Sequence, residues 1–238
     1  MQTSGLRTGL LAVLVAAGLT AFTPAKDLKA TEAGMDAPDP LSFKVMRDGS
    51  NIGSHSISFE EVGEELHVDI AIDLKVNLAF ITVFRYEHRN KEIWRDGRLV
   101  SLESRTYDDG DEYFVSARAT DEGLLVENKE GSFVAPGDIL PTSYWNPATV
   151  EQDQLLDTQR GRLLAVSTNP KGLDEVLAAE QRLPAKKFDL NGDLDADLWY
   201  APGGEWMKIA FTARGATIDY VPVGPHRGLV DNQQSSLQ

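Results

Sequence analysis

The sequence has no cysteine among its 238 residues. Disulfides, thiolate metal ligands, thiol nucleophiles and a lipid-modified cysteine at a processed N-terminus are all excluded. Positive charge is also scarce, with 23 Lys and Arg against 37 Asp and Glu and a formal charge of −14. That balance opposes association with nucleic-acid phosphates or with an anionic membrane surface and leaves a basic partner open. Dinucleotide and nucleotide loops, HExxH and GxSxG are missing, as is any basic stripe interleaved with aromatics. The composition, 42% hydrophobic and 25% charged, suits one sizeable globular domain and no collagen, coiled coil or wholly disordered chain.

The first 25 residues read as an address. Arg7 precedes an apolar run from Leu10 to Phe22, and small residues follow around Thr23, Pro24 and Ala25. This is the plan of a secretory signal peptide, and the run is short of the roughly 20 residues a spanning helix needs. Cleavage after Ala21 or Ala25 would remove Arg7 and leave a periplasmic or secreted chain of net charge about −15, with no membrane span. Residues 26–40 carry mixed charge and two prolines, Pro38 and Pro40, as a flexible linker does, and 226–238 form a polar tail.

The body, residues 41–225, reads as a mainly β domain. Leu66, Val68, Ile70, Ile72 and Leu74 alternate with His67, Asp69, Ala71 and Asp73, the period of a strand with one wet face. Asp48-Gly49, Asp96-Gly97 and Asp109-Gly110 separate further alternating runs and predict hairpin turns. Strands are expected at 41–47, 52–60, 66–74, 78–94, 100–107, 112–119, 124–127, 163–168, 196–201, 206–211 and 216–221. Two stretches read differently. Residues 136–160, with Pro141, Pro147 and Thr142 to Asn146, predict a long crossover or flap, and 173–183 has near-helical apolar spacing.

Chemistry is concentrated in residues 80–95. Parity places Phe80, Thr82, Phe84, Tyr86, His88, Asn90, Glu92 and Trp94 on one face, a polar patch between aromatic ends, as where a sheet lines a cavity. A bend near Arg89 that resets the parity, or a polar network satisfied internally, accounts for the same pattern. His55 lies on the side of its strand with Ile57 and Phe59 and is expected to share that interior. Two histidines with Glu92 would make a metal site, but no ligand spacing fixes them. His67 falls on a charged face and His226 in the tail. Asp189 to Asp197 collects four aspartates without the spacing of an EF-hand and reads as a solvated turn.

Several strings carry a family resemblance. Tyr86-Glu87-His88-Arg89, Glu92 to Leu99, Ser104-Arg105-Thr106, Pro141 to Asn146 and Gly192 to Tyr200, with Phe43-Lys44-Val45 and Ile52 to His55, resemble the bacterial exported family labelled domain of unknown function 6134. The likeness runs from about Leu41 to Val221. It implies an exported protein and a half-barrel of the kind used by lipoprotein carriers, and it makes 174–190 extended rather than helical. It transfers no catalytic residue.

The expectation is therefore a single antiparallel sheet curled into a barrel or half-barrel, with at most one or two short helices, capped by residues 136–160. A non-enzymatic role is favoured: binding a lipid or other amphipathic molecule, or an envelope protein, without a cofactor or metal. Tyr86, His88, Glu92, Trp94 and His55 are expected inside, with Tyr144 and Trp145 at the mouth. The alternatives are a hydrolase or metal-dependent enzyme using His88, Glu92 and His55, and a structural module that pairs through a sheet edge.

Overall fold

Alternation between tight turns builds almost the whole domain. In the computed structural model, which describes residues 37–224, fifteen strands follow one another: β1 Leu41–Arg47, β2 Ser50–Val62, β3 Glu65–Leu78, β4 Ile81–Arg95, β5 Arg98–Asp108, β6 Asp111–Thr120, β7 Gly123–Asn128, β8 Gly131–Ala135, β9 Leu140–Pro141, β10 Gln154–Leu156, β11 Leu163–Ala178, β12 Gln181–Gly192, β13 Ala196–Tyr200, β14 Trp206–Ala213 and β15 Ala216–Pro222. The expected leader, residues 26–36 of the linker and the polar tail lie outside the described residues. A 3-10 turn at Pro147–Glu151, capped by the Asn146 side chain, is the one helical element among the described residues. None of their helices is long and apolar enough to cross a membrane.

All fifteen strands join one sheet in the order β8-β7-β6-β5-β4-β3-β2-β1-β15-β14-β13-β12-β11-β10-β9. Pairing is antiparallel except between β9 and β10. Two meanders meet where β1 pairs with β15, so the last strand of the domain closes on the first. The edges, β8 and β9, are adjacent in the chain but do not pair, and the sheet is an open barrel.

The Asp-Gly turns form as expected, with Asp48, Asp96 and Asp109 all in the left-handed region. Two local readings are corrected. Residues 173–183 are extended, as the family resemblance implies, and not the helix their spacing suggests: Val176, Leu177 and Ala178 pair with Leu183, Arg182 and Gln181 across a turn at Ala179-Glu180, both at positive φ. Pairing over the whole length of β11 and β12 outweighs the local propensity of Leu, Ala and Glu. The run 78–94 is likewise interrupted at Ala79 and Phe80, where Ala79 adopts φ 54° without any glycine to mark the turn.

The inner face carries the main core, from Leu41, Phe43 and Val45 through Ile57, Val68, Ile70, Leu102 and Leu124 round to Leu190, Leu198, Trp206 and Ile209. A smaller core lies on the opposite face, where Val176, Ala178, Leu183 and Ala185 of the β11–β12 hairpin pack with Trp199, Ala201 and Met207. Across the sheet, inward residues fall into lateral rows. One runs Phe43, His55, Ile72, His88, Thr106, Tyr113, and the next Leu41, Ile57, Ile70, Asn90, Ser104, Val115.

Gly53 holds the register of these rows beside a bulge at Val45/Met46. Its φ is +152°, and a Cβ there would lie 1.9 Å from the Asp73 carbonyl oxygen of β3. Neither the backbone angle nor a neighbouring main chain can yield cheaply. Gly53→Ala should lower stability in urea unfolding by about 2 kcal/mol or more, and an unchanged midpoint would mean that β2 and β3 tolerate a wider spacing.

Candidate functional site

The site is built by β4 and by the segment expected to be a flap. On β4, parity holds from Phe84 inward: His88, Asn90, Glu92 and Trp94 are all buried on the concave face. It fails nearer the tip. A bulge at Val76/Asn77 offsets the ladder, and Phe80 and Thr82 are exposed rather than aligned with the cavity.

Residues 142–162 do not cap the barrel from outside; they occupy its interior. Ser104 Oγ donates to the Thr158 carbonyl, Asn128 Nδ2 to the Gly161 carbonyl at 2.7 Å, and Tyr200 Oη to the Tyr144 carbonyl at 2.8 Å. The central anchor is Glu92. Its Oε2 accepts from the indoles of Trp94 (2.9 Å) and Trp145 (3.1 Å), and its Oε1 from Asn90 Nδ2 (2.8 Å). Burial pushes the Glu92 carboxyl above its ordinary range, and hydrogen bonds from Trp145, Trp94, Asn90 and Ser143 pull the other way. Trp145 stands edge-on to Trp94 and Phe59, with ring centres at 5.2 and 5.4 Å.

The expected residues therefore separate. Tyr86, His88, His55 and Tyr144 line one cavity of about 430 Å³, with Asn90, Thr142, Ser143, Asp157, Thr158 and Gln159. Glu92 and Trp94 lie in packed structure beneath it. Trp145 lines a smaller hollow of about 210 Å³ with Phe59 and Trp206, so Tyr144 and Trp145 do not share a mouth. A second large cavity, about 470 Å³, continues from the first through Tyr86, Asp108, Gln159, Phe211 and Tyr220, and adds Leu74, Val76, Val83, Phe84, Ala213 and Ile218. Sequence reasoning missed this apolar half and the hydroxyls of the polar half. Ser104 and Thr106, alternating inward with Leu102, were the available signal that the polar patch of β4 extends to its neighbour.

Both histidines are held neutral. Burial lowers His88 to about 4, and its Nδ1 lies 2.8 Å from Thr106 Oγ1. Burial and the nearby His88 lower His55 to about 3. His55 is 4% exposed and set among the rings of Phe43, Trp206 and Tyr220 at 5.5–6.0 Å, with no partner for either ring nitrogen. Asn90 Oδ1 is also without a partner.

Residues 43–223 match the family described as domain of unknown function (DUF6134). The chain belongs to that family. Among curated proteins, none matches. The DUF6134 domain is similar in fold to a solved structure described as a beta-barrel-like protein of domain of unknown function DUF1849 from Brucella abortus. The TM-score is 0.56 at 12% identity, over 79% of this chain and 96% of that one.

Within this DUF6134 domain, an acid–base pair of His88 and Glu92 has no geometric support. The two are four residues apart on one strand, roughly 13 Å along it, and Glu92 is engaged by two indoles and an amide. No group of three or more His, Asp or Glu suited to a metal ion occurs among the described residues. In the acidic turn, Asp193 Oδ2 accepts from Ala165 N and Asp195 Oδ1 from Gly192 N, while Asp189 and Asp197 pair with Lys171 and Lys187.

A histidine whose folded pKa is depressed binds its proton more readily when unfolded. Its contribution is complete above pH 6.5 and is lost as pH falls toward the folded value. Glu92, raised by burial, acts in the opposite sense above its ordinary pKa, so the His55 effect is best isolated by substitution. His55→Phe should gain about 2 kcal/mol relative to the parent between pH 7.5 and pH 5 in urea unfolding. Parallel pH profiles for the two proteins would contradict a neutral, dry His55.

Proposed function

We propose that this domain binds one small amphipathic molecule inside its open barrel and acts as a carrier or receptor for it rather than as a catalyst. The observation that carries the reading is the change of chemistry between two cavities that share a wall. The inner one offers His88, Asn90, Ser143, Thr142 and Gln159 beside aliphatic Ile70 and Ile72; the outer one offers Leu74, Val76, Val83, Phe84, Ala213 and Ile218, with Arg47, Asp108 and Arg214 as its charged residues. Each lies within the roughly 300–1,000 Å³ of small-molecule sites. A ligand with a polar end and an apolar tail satisfies both, its head among the side-chain donors and acceptors and its tail along the aliphatic wall.

The apolar run at Leu10 to Phe22 supports export, and with no cysteine for a lipid anchor the mature chain would handle its ligand in solution.

Native mass spectrometry of the protein purified from its own source should show one bound amphiphile, and fatty acid or lysophospholipid added to stripped protein should raise its thermal midpoint. Leu74→Trp, which fills the apolar half, should weaken that binding by about tenfold or more while the unliganded midpoint changes little. A bare mass together with no thermal response to either probe would overturn the proposal.

A further inference from the structure

The β3–β4 hairpin extends beyond both of its neighbours. β2 pairs with β3 only as far as Leu74 and β5 with β4 only from Tyr86, with one further backbone bond from Asp109 N to the Arg85 carbonyl, so residues 75–84 form a two-stranded ribbon paired only with itself. From Asn77↔Thr82 and Leu78↔Ile81 back to Lys75↔Arg85 the overhang is on the order of 15 Å. Its outer half is apolar and exposed: Phe80 is 104% exposed, Leu78 70%, Ile81 69% and Val83 49%. An isolated ribbon of this kind is marginal in water.

The contrast with the other long hairpin is informative. β11–β12 also runs past its neighbours, but there one face is covered, Val176, Ala178, Leu183 and Ala185 being buried against Trp199 and Met207, while Leu173 and Leu177 on the other face are exposed. The short hairpins turn on Asp48-Gly49, Asp96-Gly97 and Asp109-Gly110, whereas both long ones put an alanine, Ala79 or Ala179, at positive φ; what sets the β3–β4 turn apart is the exposed Phe80 where β11–β12 has Glu180. Glycine or asparagine is the inexpensive choice for that backbone, so an apolar tip has been kept against local preference.

Charge indicates what the ribbon meets. In a chain with 37 acidic residues, 75–85 contains none; its charges are Lys75 and Arg85. Arg85 pairs with Glu87 just below, and among the described residues no ion pair engages Lys75. The ribbon also forms one wall of the apolar cavity, through Val76, Val83 and Phe84.

We propose that the β3–β4 ribbon is a docking element for an anionic lipid bilayer surface. Phe80, Leu78, Ile81 and Val83 enter the interface, and Lys75 lies at the level of the lipid headgroups. The net negative charge of the rest of the chain keeps this contact shallow and reversible. The apolar cavity then opens toward the membrane. That last step rests on the ligand-binding reading; the docking does not.

Because the chain has no cysteine, one introduced thiol gives a unique label. Full-length Thr82→Cys carrying an environment-sensitive dye leaves the four apolar residues intact, and Glu64→Cys marks the turn at the opposite end of β3. With mixed phosphatidylglycerol and phosphatidylcholine vesicles, the dye at 82 should shift to the blue while that at 64 does not. Phe80→Asp in the Thr82→Cys background should weaken the response by about tenfold or more, and pure phosphatidylcholine should do the same. All these proteins share the N-terminal apolar run, so their difference reports the ribbon. The proposal is overturned by no shift at 82, by equal shifts at 82 and 64, or by a shift that follows protein concentration without vesicles, which would show ribbon-to-ribbon pairing. Vesicle docking without ligand retention would remove the carrier reading and leave the docking element standing.

Discussion

A buried carboxylate organises the interior. Glu92 projects from the middle of the concave face into a place where no ion pair meets it, and it is satisfied by two indole N–H groups and an amide. Such a group is costly to bury, so its bonds must all be made together or the arrangement fails. Because Trp145 comes from the long crossover and Trp94 from the strand itself, satisfying Glu92 draws residues 142–162 inside the barrel. Once there, that segment divides the lumen. Below Glu92 lie packed aromatics, Phe59, Trp94, Trp145 and Trp206, and above it lies open space.

The hollow half inherits its character from the rows of the sheet. Polar residues at His88, Thr106, Asn90 and Ser104 occupy adjacent positions on β4 and β5, while the same rows are aliphatic on β3 at Ile70 and Ile72. The polar patch is thus a local feature of two strands set in an otherwise oily wall. Neutral His88, bonded to Thr106, presents a hydrogen-bonding group there rather than a charge, and under the proposed binding role it would meet a headgroup in that form.

The fold was legible wherever one face was buried and the other wet. β1 was read to the residue, and the inward set of β4 from Phe84 to Trp94 followed from parity, because burial on one side imposes period two. Legibility failed where that constraint lapsed. At the tip, residues 77–82, both faces meet solvent, so parity carried no information and a turn at Ala79-Phe80 had no glycine to announce it. Residues 173–183 misled in another way: their apolar spacing suits a helix, and only the long-range pairing with β12 makes them extended, a contact that local sequence does not encode. The site was read by half. Aromatic and titratable residues stand out in a sequence, whereas an aliphatic cavity wall is composed of the same residues as a core. Nothing local told Trp145, inside and below the cavity, from Tyr144 on its wall.

The two terminal strands of the sheet are short. β9 is only Leu140–Pro141, and proline has no N–H to offer a new strand; β8 is five residues, Gly131–Ala135. Strand addition needs a run of unpaired backbone groups, and neither edge supplies one of useful length. The longer unpaired backbone lies elsewhere: β10 reaches β11 only at Leu163–Ala165, so from there to Ala178 β11 pairs on one side only, with β12. At high concentration, edge-to-edge growth of this open sheet would therefore find more backbone along β11 than at either terminal strand.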